Sequence, residues 1–166
     1  MKRMIIALSS CVLLAGCWGK KQEEVASQAQ PTETKKTVLV VNVLDKAMYD
    51  DAHIKGSINV TMDQLAAEAE KWAKDATIVL YCSNALCTAS SDTAKMLAEK
   101  GFTDVAAYEG GMAEWFQLSK KNPEFVVEGP AQAEYLSLEV QKPAEEATAP
   151  SAVKKINAED LLKLIK

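Results

Sequence analysis

Two thiols stand five residues apart in the stretch TIVLYCSNALCT, Cys82 and Cys87. The run Thr77–Cys82 is a continuous apolar, β-branched stretch, as expected of a strand buried on both faces. A helix is predicted from Thr88 to Lys100, with Ala89, Thr93, Met96 and Leu97 on one face and Gly101 at the capping position. Cys82 therefore closes a buried strand just before a helix begins. Amides of the intervening loop and the helix N-terminus make a positive nest, which stabilises a thiolate or a bound anion. Such a nest lowers a thiol pKa and creates a nucleophile. The competing reading is an inert core cysteine, and the second thiol so close by weighs against it.

The elements around this loop alternate. Thr37–Val43 reads as a first buried strand, Met62–Ala73 as a helix, Asp104–Tyr108 as a third strand and Met112–Leu118 as a short helix after the Gly110-Gly111 turn. Glu134–Val140 alternates and fits a strand or an extended tail. This order implies an α/β fold, a parallel sheet flanked by helices on both faces, with ligands beyond the carboxyl ends of the strands. Trp72 and Trp115 fall on apolar helix faces and read as core, and Gly110 and Gly111 as backbone devices. Two thiols and one distant histidine are poor zinc ligands, so no metal and no organic cofactor is expected.

The 166 residues are 48% apolar and 25% charged, which suits one globular domain with extras. A net charge of −4 argues against a general nucleic-acid or anionic-membrane binder. Lys2 and Arg3 precede an apolar run from Met4 to Ala15, an export signal too short to span a bilayer. Removal of residues 1–16 takes the charge from −4 to −6 and takes away Arg3, the sole arginine. Cys11 leaves with the signal. Residues 17–36 are polar and read as a flexible tether, and 142–155, rich in Ala, Pro and Glu, as a linker. The predicted domain spans 37–141. Residues 156–166 read as a C-terminal helix with Asn157 as N-cap, Asp160 at N3 and an apolar stripe of Leu161, Leu162 and Ile165. A helix so short must dock on something.

Leu14-Ala15-Gly16-Cys17 resembles the lipobox of bacterial lipoproteins. That resemblance implies acylation of Cys17 and attachment to the cell envelope, with Trp18 after the cysteine favouring the outer membrane, facing the periplasm. It also implies a compartment that permits disulfides.

From about Val38 to Gly129 the chain resembles the rhodanese domain. The motifs that carry this are His53-Ile54-Lys55-Gly56-Ser57-Ile58-Asn59 and Glu109-Gly110-Gly111-Met112-Ala113-Glu114-Trp115, specific in combination, with the strand and loop IVLYC between them. The resemblance implies sulfane-sulfur transfer through a persulfide on Cys82, cradled by the loop Ser83, Asn84, Ala85, Leu86, Cys87 and Thr88. The partners implied are a small sulfur donor and a thiol acceptor, with membrane contact through the lipid anchor, no nucleic acid, and room for a protein partner. His53 occupies a fold-motif slot and reads as a structural histidine bonded to backbone.

Departures from the pattern bear on substrate. Many rhodaneses carry Asp-x-Arg where this chain has Asn42-Val43-Leu44, and Arg and Gly where it has Ser83 and Ala85. Without arginine, bidentate capture of thiosulfate is unavailable, so either thiosulfate turnover is slow or the donor is a less charged persulfide. Related phosphatase and arsenate-reductase loops are longer and end in Arg, which this loop lacks. Cys87 has two readings: a redox partner that attacks a Cys82 persulfide or closes a Cys82–Cys87 disulfide, or a residue packed against the sheet. The functional expectation is a thiosulfate/persulfide sulfurtransferase. Its rival is a non-catalytic, redox-sensing binding module that toggles the disulfide.

Rhodanese domains open with a short helix resembling Ile-Ser-x-Glu-Glu-Leu, and here the matching segment, Ile156–Leu161, ends the chain. A circularly permuted arrangement follows, in which the C-terminal helix fills the slot of the usual first helix. A flexible linker of about 14 residues spans roughly 20 Å. The same helix docked on a second copy would make a swapped dimer.

Overall fold

The computed structural model describes residues 36–139 and 153–166. The export signal, Cys17, the tether up to residue 35 and residues 140–152 lie outside the described residues.

The first buried run forms β1, Val38–Asn42, and Thr77–Tyr81 forms β4. Between them lie α1 (Lys46–Asp51), β2 (His53–Ile54), β3 (Ile58–Asn59) and α2 (Met62–Glu68). After β4 come α3 (Ala89–Glu99), β5 (Asp104–Tyr108), α4 (Gly111–Ser119) and β6 (Val127–Glu128). The chain closes with β7 (Lys154–Ile156) and α5 (Ala158–Leu164).

Five strands make one parallel sheet in the order β3-β1-β4-β5-β7, while β2 and β6 pair antiparallel apart from it. This is the α/β architecture expected. Period-two alternation divides the buried strands between two cores. Val41, Ile78, Leu80 and Cys82 face the side covered by Leu65 of α2 and Leu97 of α3. Val40, Val79, Tyr81 and Tyr108 face Trp115 of α4 and Leu161 of α5. Cys82 thus belongs to the face on which α3 lies, which brings the start of that helix over the thiol.

Several elements differ from the sequence expectation. The helix expected over 62–73 ends at Glu68 and tightens into a 3₁₀ turn, Ala69–Lys71. Trp72 then goes extended and sets its ring edge-on to Phe102, 6.4 Å between centroids. Glu134–Ser137 is a 3₁₀ turn and neither a strand nor an extended tail. Fully buried Leu136 packs in the core beside α4, and its carbonyl accepts from the Gln117 side-chain amide at 3.2 Å. Helix α1 was not foreseen; Asp45 caps it by accepting from the Met48 N–H at 2.8 Å.

The linker expected to reach residue 155 gives way to β7 at Lys154. Its residues align along β5, with Ala106 opposite Lys154 and Tyr108 opposite Ile156. An edge strand of two lysines and one isoleucine has no hydrophobic alternation to reveal it. Helix α5 begins as predicted: Asn157 Oδ1 accepts from the Asp160 N–H at 2.8 Å. It buries Ala158, Leu161 and Leu162 in the core of its own chain. Full burial of one leucine stabilises by about 2 kcal/mol, which offsets the weak propensity of so short a helix.

Candidate active site

The site forms where β4 ends. The Cys82 loop turns back because Asn84 organises it twice: its side-chain Oδ1 accepts from the Leu86 N–H at 3.0 Å, and its carbonyl from the Cys87 N–H at 3.0 Å. Helix α4 clamps the other flank. The Met112 N–H donates to the Cys82 carbonyl and the Ala113 N–H to the Ser83 carbonyl, each at 2.9 Å. Gly111, at φ +64°, leaves room for this approach; a Cβ there would lie 2.8 Å from Asn84 N and from the Cys82 carbonyl oxygen. The Glu-Gly-Gly motif thus serves the loop through the backbone.

The His-Ile-x-Gly-Ser motif serves it one step removed. Tyr81, just before Cys82, has its hydroxyl bonded by the Ile54 N–H at 3.1 Å and paired with Ser57 Oγ at 2.9 Å. Burial pushes the Tyr81 phenol pKa up, so it stays a neutral fixture. His53 faces backbone: Nδ1 meets the Tyr49 carbonyl at 2.9 Å, the ring stacks on Tyr49, and Nε2 lies 3.3 Å from Glu128. It is positioned as a structural histidine. Trp115 is fully buried and donates to the Val126 carbonyl at 3.1 Å; Trp72 is half-buried at the other core.

The thiols themselves depart from the simple nest. Cys82 is 0% exposed. Its Sγ lies 3.1 Å from the Cys87 carbonyl, 3.8 Å from the Asn84 carbonyl and 3.5 Å from Ser90 Oγ. Two of these three neighbours are acceptors, which suit a thiol that donates. The neighbouring Cys87 thiol and burial push Cys82 up, opposed by the Ser90 hydroxyl and N–H. Cys87 is pulled down to about 5, first by the Cys82 thiol and then, against burial, by the Ala89 N–H and the Ser83 N–H and hydroxyl. The expected nest exists, but its donors are divided: those of Ala89 and Ser83 favour an anion on Cys87, and those of Ser90 one on Cys82. The expectation of a depressed Cys82 pKa is corrected accordingly: a fully enclosed sulfur facing carbonyls holds its proton.

Ser90 was not singled out from the sequence. It is fully buried in the first turn of α3 and lies over Cys82. A serine three residues after Cys87, at a helix start, was the available signal. Thr88 is exposed, precedes α3 and makes no side-chain capping bond. Behind the loop, Glu109 accepts from the Ser91 hydroxyl at 3.0 Å and pairs with Lys155 of β7 at 2.9 Å. The C-terminal strand therefore ties down the residue that opens the Glu-Gly-Gly motif.

Beside the loop is a cleft of about 160 Å³ lined by Asn84, Ala85, Leu86, Gly110, Ala113, Leu138 and Glu139. Neither cysteine lines it; the loop backbone forms its wall. Its lining holds one carboxylate and no cation, and Leu86 is 71% exposed at its rim.

Known proteins are similar in the same region. The profile of the rhodanese-like domain matches residues 24–118. A thiosulfate sulfurtransferase GlpE of Shewanella oneidensis is 30% identical over 99 residues, 60% of this chain and 95% of that protein. A protein of the same name from Coxiella burnetii is 28% identical over 81 residues, 49% of this chain and 74% of that one. The crystal structure of the BH2092 protein from Bacillus halodurans aligns with a TM-score of 0.49 at 25% identity, over 57% of this chain and 65% of that chain. The sulfur-bearing loop, the two motifs that hold it and the family profile agree, and the chain belongs to the rhodanese-like domain family.

Proposed function

We propose that this protein is a sulfurtransferase that carries sulfane sulfur as a persulfide on Cys82. The observation that carries the reading is the closed loop after β4, fixed from one side by the first turn of α4 and from the other by α3, with Cys82 Sγ under Ser90. The donor is a persulfide of low charge, R–S–SH. Cys82 sulfur bonds to the outer sulfur of the donor, the donor S–S bond breaks, and its inner sulfur leaves as thiolate. The proton that Cys82 gives up passes to the departing thiolate. The products are the Cys82 persulfide and R–SH. A thiol or cyanide then accepts the sulfur. The Ser90 N–H and hydroxyl, which oppose the rise in the Cys82 pKa, favour negative charge on sulfur at this position.

The absence of arginine after Arg3 supports a donor unlike thiosulfate, whose dianion has no guanidinium to hold it by two bonds. Thiocyanate formation from an organic persulfide and cyanide tests the reading. The wild-type chain is expected to turn over, and Cys82→Ser to fall to background. Equal rates in the two would overturn it.

The same reading places the protein on the cell envelope, anchored through lipid on Cys17 and facing the periplasm from the outer membrane; the sequence Leu14–Cys17 supports this. Metabolic labelling with an alkyne fatty acid, lost in Cys17→Ser, tests it. The permuted chain order is supported by β7 and α5 bordering the sheet beside β5 while coming last in sequence.

A further inference from the structure

We propose that Cys87 is a resolving thiol: it attacks the inner sulfur of a Cys82 persulfide, closes a Cys82–Cys87 disulfide and expels the outer sulfur as hydrosulfide. The proposal rests on the persulfide reading above and extends it from sulfur transfer to reductive sulfur release.

Geometry supplies the argument. In the loop, the turn closed by Asn84 folds Cys87 back over Cys82, whose Sγ lies 3.1 Å from the Cys87 carbonyl. Both cysteines belong to the same core cluster beside α3. The atom against which the Cys87 backbone folds is Cys82 Sγ, and that atom is the inner sulfur of any persulfide formed there. Attack on it joins two residues that the loop already folds together. The attacking group is also in the right state. The Ala89 and Ser83 donors, which remain when Cys82 carries sulfur, favour the thiolate of Cys87, and the thiolate is the nucleophile in exchange. Cys87 also packs against the core beside α3, and a purely packing role would give no change of product.

The step balances. Cys87–S⁻ and Cys82–S–SH give Cys82–S–S–Cys87 and HS⁻. The new S–S bond forms as the old one breaks, the leaving sulfur takes the electron pair of the broken bond, and Cys87 is oxidised by the equivalent that reduces the sulfane sulfur. An external dithiol, itself oxidised to a disulfide, returns the pair to thiols for the next cycle.

The test is a single turnover. The full chain, reduced and then freed of reductant, is treated with one equivalent of glutathione persulfide; hydrosulfide is measured, and the cysteines are assigned by peptide mapping. Wild type is expected to release stoichiometric hydrosulfide and lose about 2 Da as the disulfide closes. Cys87→Ser and Cys87→Ala are expected to keep a persulfide of about +32 Da on Cys82 and to release none. A stable persulfide on Cys82 in wild type, with no disulfide, would overturn the resolving role and leave the sulfurtransferase reading standing. Sulfur found on Cys87 would overturn it in favour of a relay between the thiols. Absence of the Cys82 adduct from both Cys87 variants, with their far-ultraviolet circular dichroism unchanged, would overturn the persulfide reading itself.

Discussion

The amide of Met112 donates to the carbonyl of Cys82 over 2.9 Å. A helix start and a sulfur-bearing loop are thereby fixed to each other, through a contact that only a glycine just before Met112 allows.

Gly111→Ala should break this clamp. The added Cβ would lie 2.8 Å from backbone atoms of Cys82, Ser83 and Asn84, in a φ region that disfavours any side chain. We expect a loss of about 1–3 kcal/mol together with loss of transfer, read by urea unfolding and by turnover at a temperature where the variant is folded. Unchanged turnover would show that the loop does not depend on the clamp.

Donor charge gives a second prediction. Leu86→Arg sets a guanidinium at the rim of a cleft that now lacks any cation. Thiosulfate kcat/KM should rise about 3- to 10-fold, roughly 1 kcal/mol as for an exposed charge contact, and the gain should fade in high salt. An uncharged organic persulfide should be unaffected. Rises of equal size for both donors would argue against an electrostatic limit.

The thiol pair should show itself in alkylation. The Cys87 pKa is lowered to about 5, so its thiolate persists above that pH and is lost as pH falls through it. At about pH 6.5 an ordinary thiol is roughly 1% ionised, while Cys87 should label with iodoacetamide near its plateau rate and ahead of Cys82. Cys82→Ser removes the thiol that donates first among the causes, and the Cys87 inflection should move upward. An inflection in the ordinary thiol range in the wild type would contradict the lowering of Cys87 by its neighbours.

The C-terminal helix should behave as core. Leu161 is fully buried among the residues around Trp115, so Leu161→Ala should cost about 2–4 kcal/mol. Asn157→Ala removes the cap on the Asp160 N–H and should cost about 1 kcal/mol. Both are read from denaturant midpoints. A midpoint unmoved by Leu161→Ala would mean that α5 leaves the sheet in solution.

Much of this was legible in order along the chain. The runs at Val38–Asn42, Thr77–Tyr81 and Asp104–Tyr108 are strands because continuous β-branched and apolar residues suit a sheet covered on both faces. Asn157 and the stripe after it announced α5, since capping and helical spacing are local properties. The cysteine loop was legible for the same reason, as was the absence of arginine from everything after Arg3. Helix α1, the β2–β6 pair and β7 were not, because each is stabilised by partners far away in sequence: the carboxylate of Asp51, at the end of α1, accepts from the Gln132 and Ala133 N–H groups at 3.0 Å. What the tertiary structure alone decided is which donors and acceptors each sulfur meets. Sequence places both thiols in one loop, but the division of a handful of amides and hydroxyls between two sulfurs depends on how Ser83, Ala89 and Ser90 are oriented by the packing of α3 and α4. Hydrogen bonds change over an ångström or two, so that packing sets which sulfur each donor reaches.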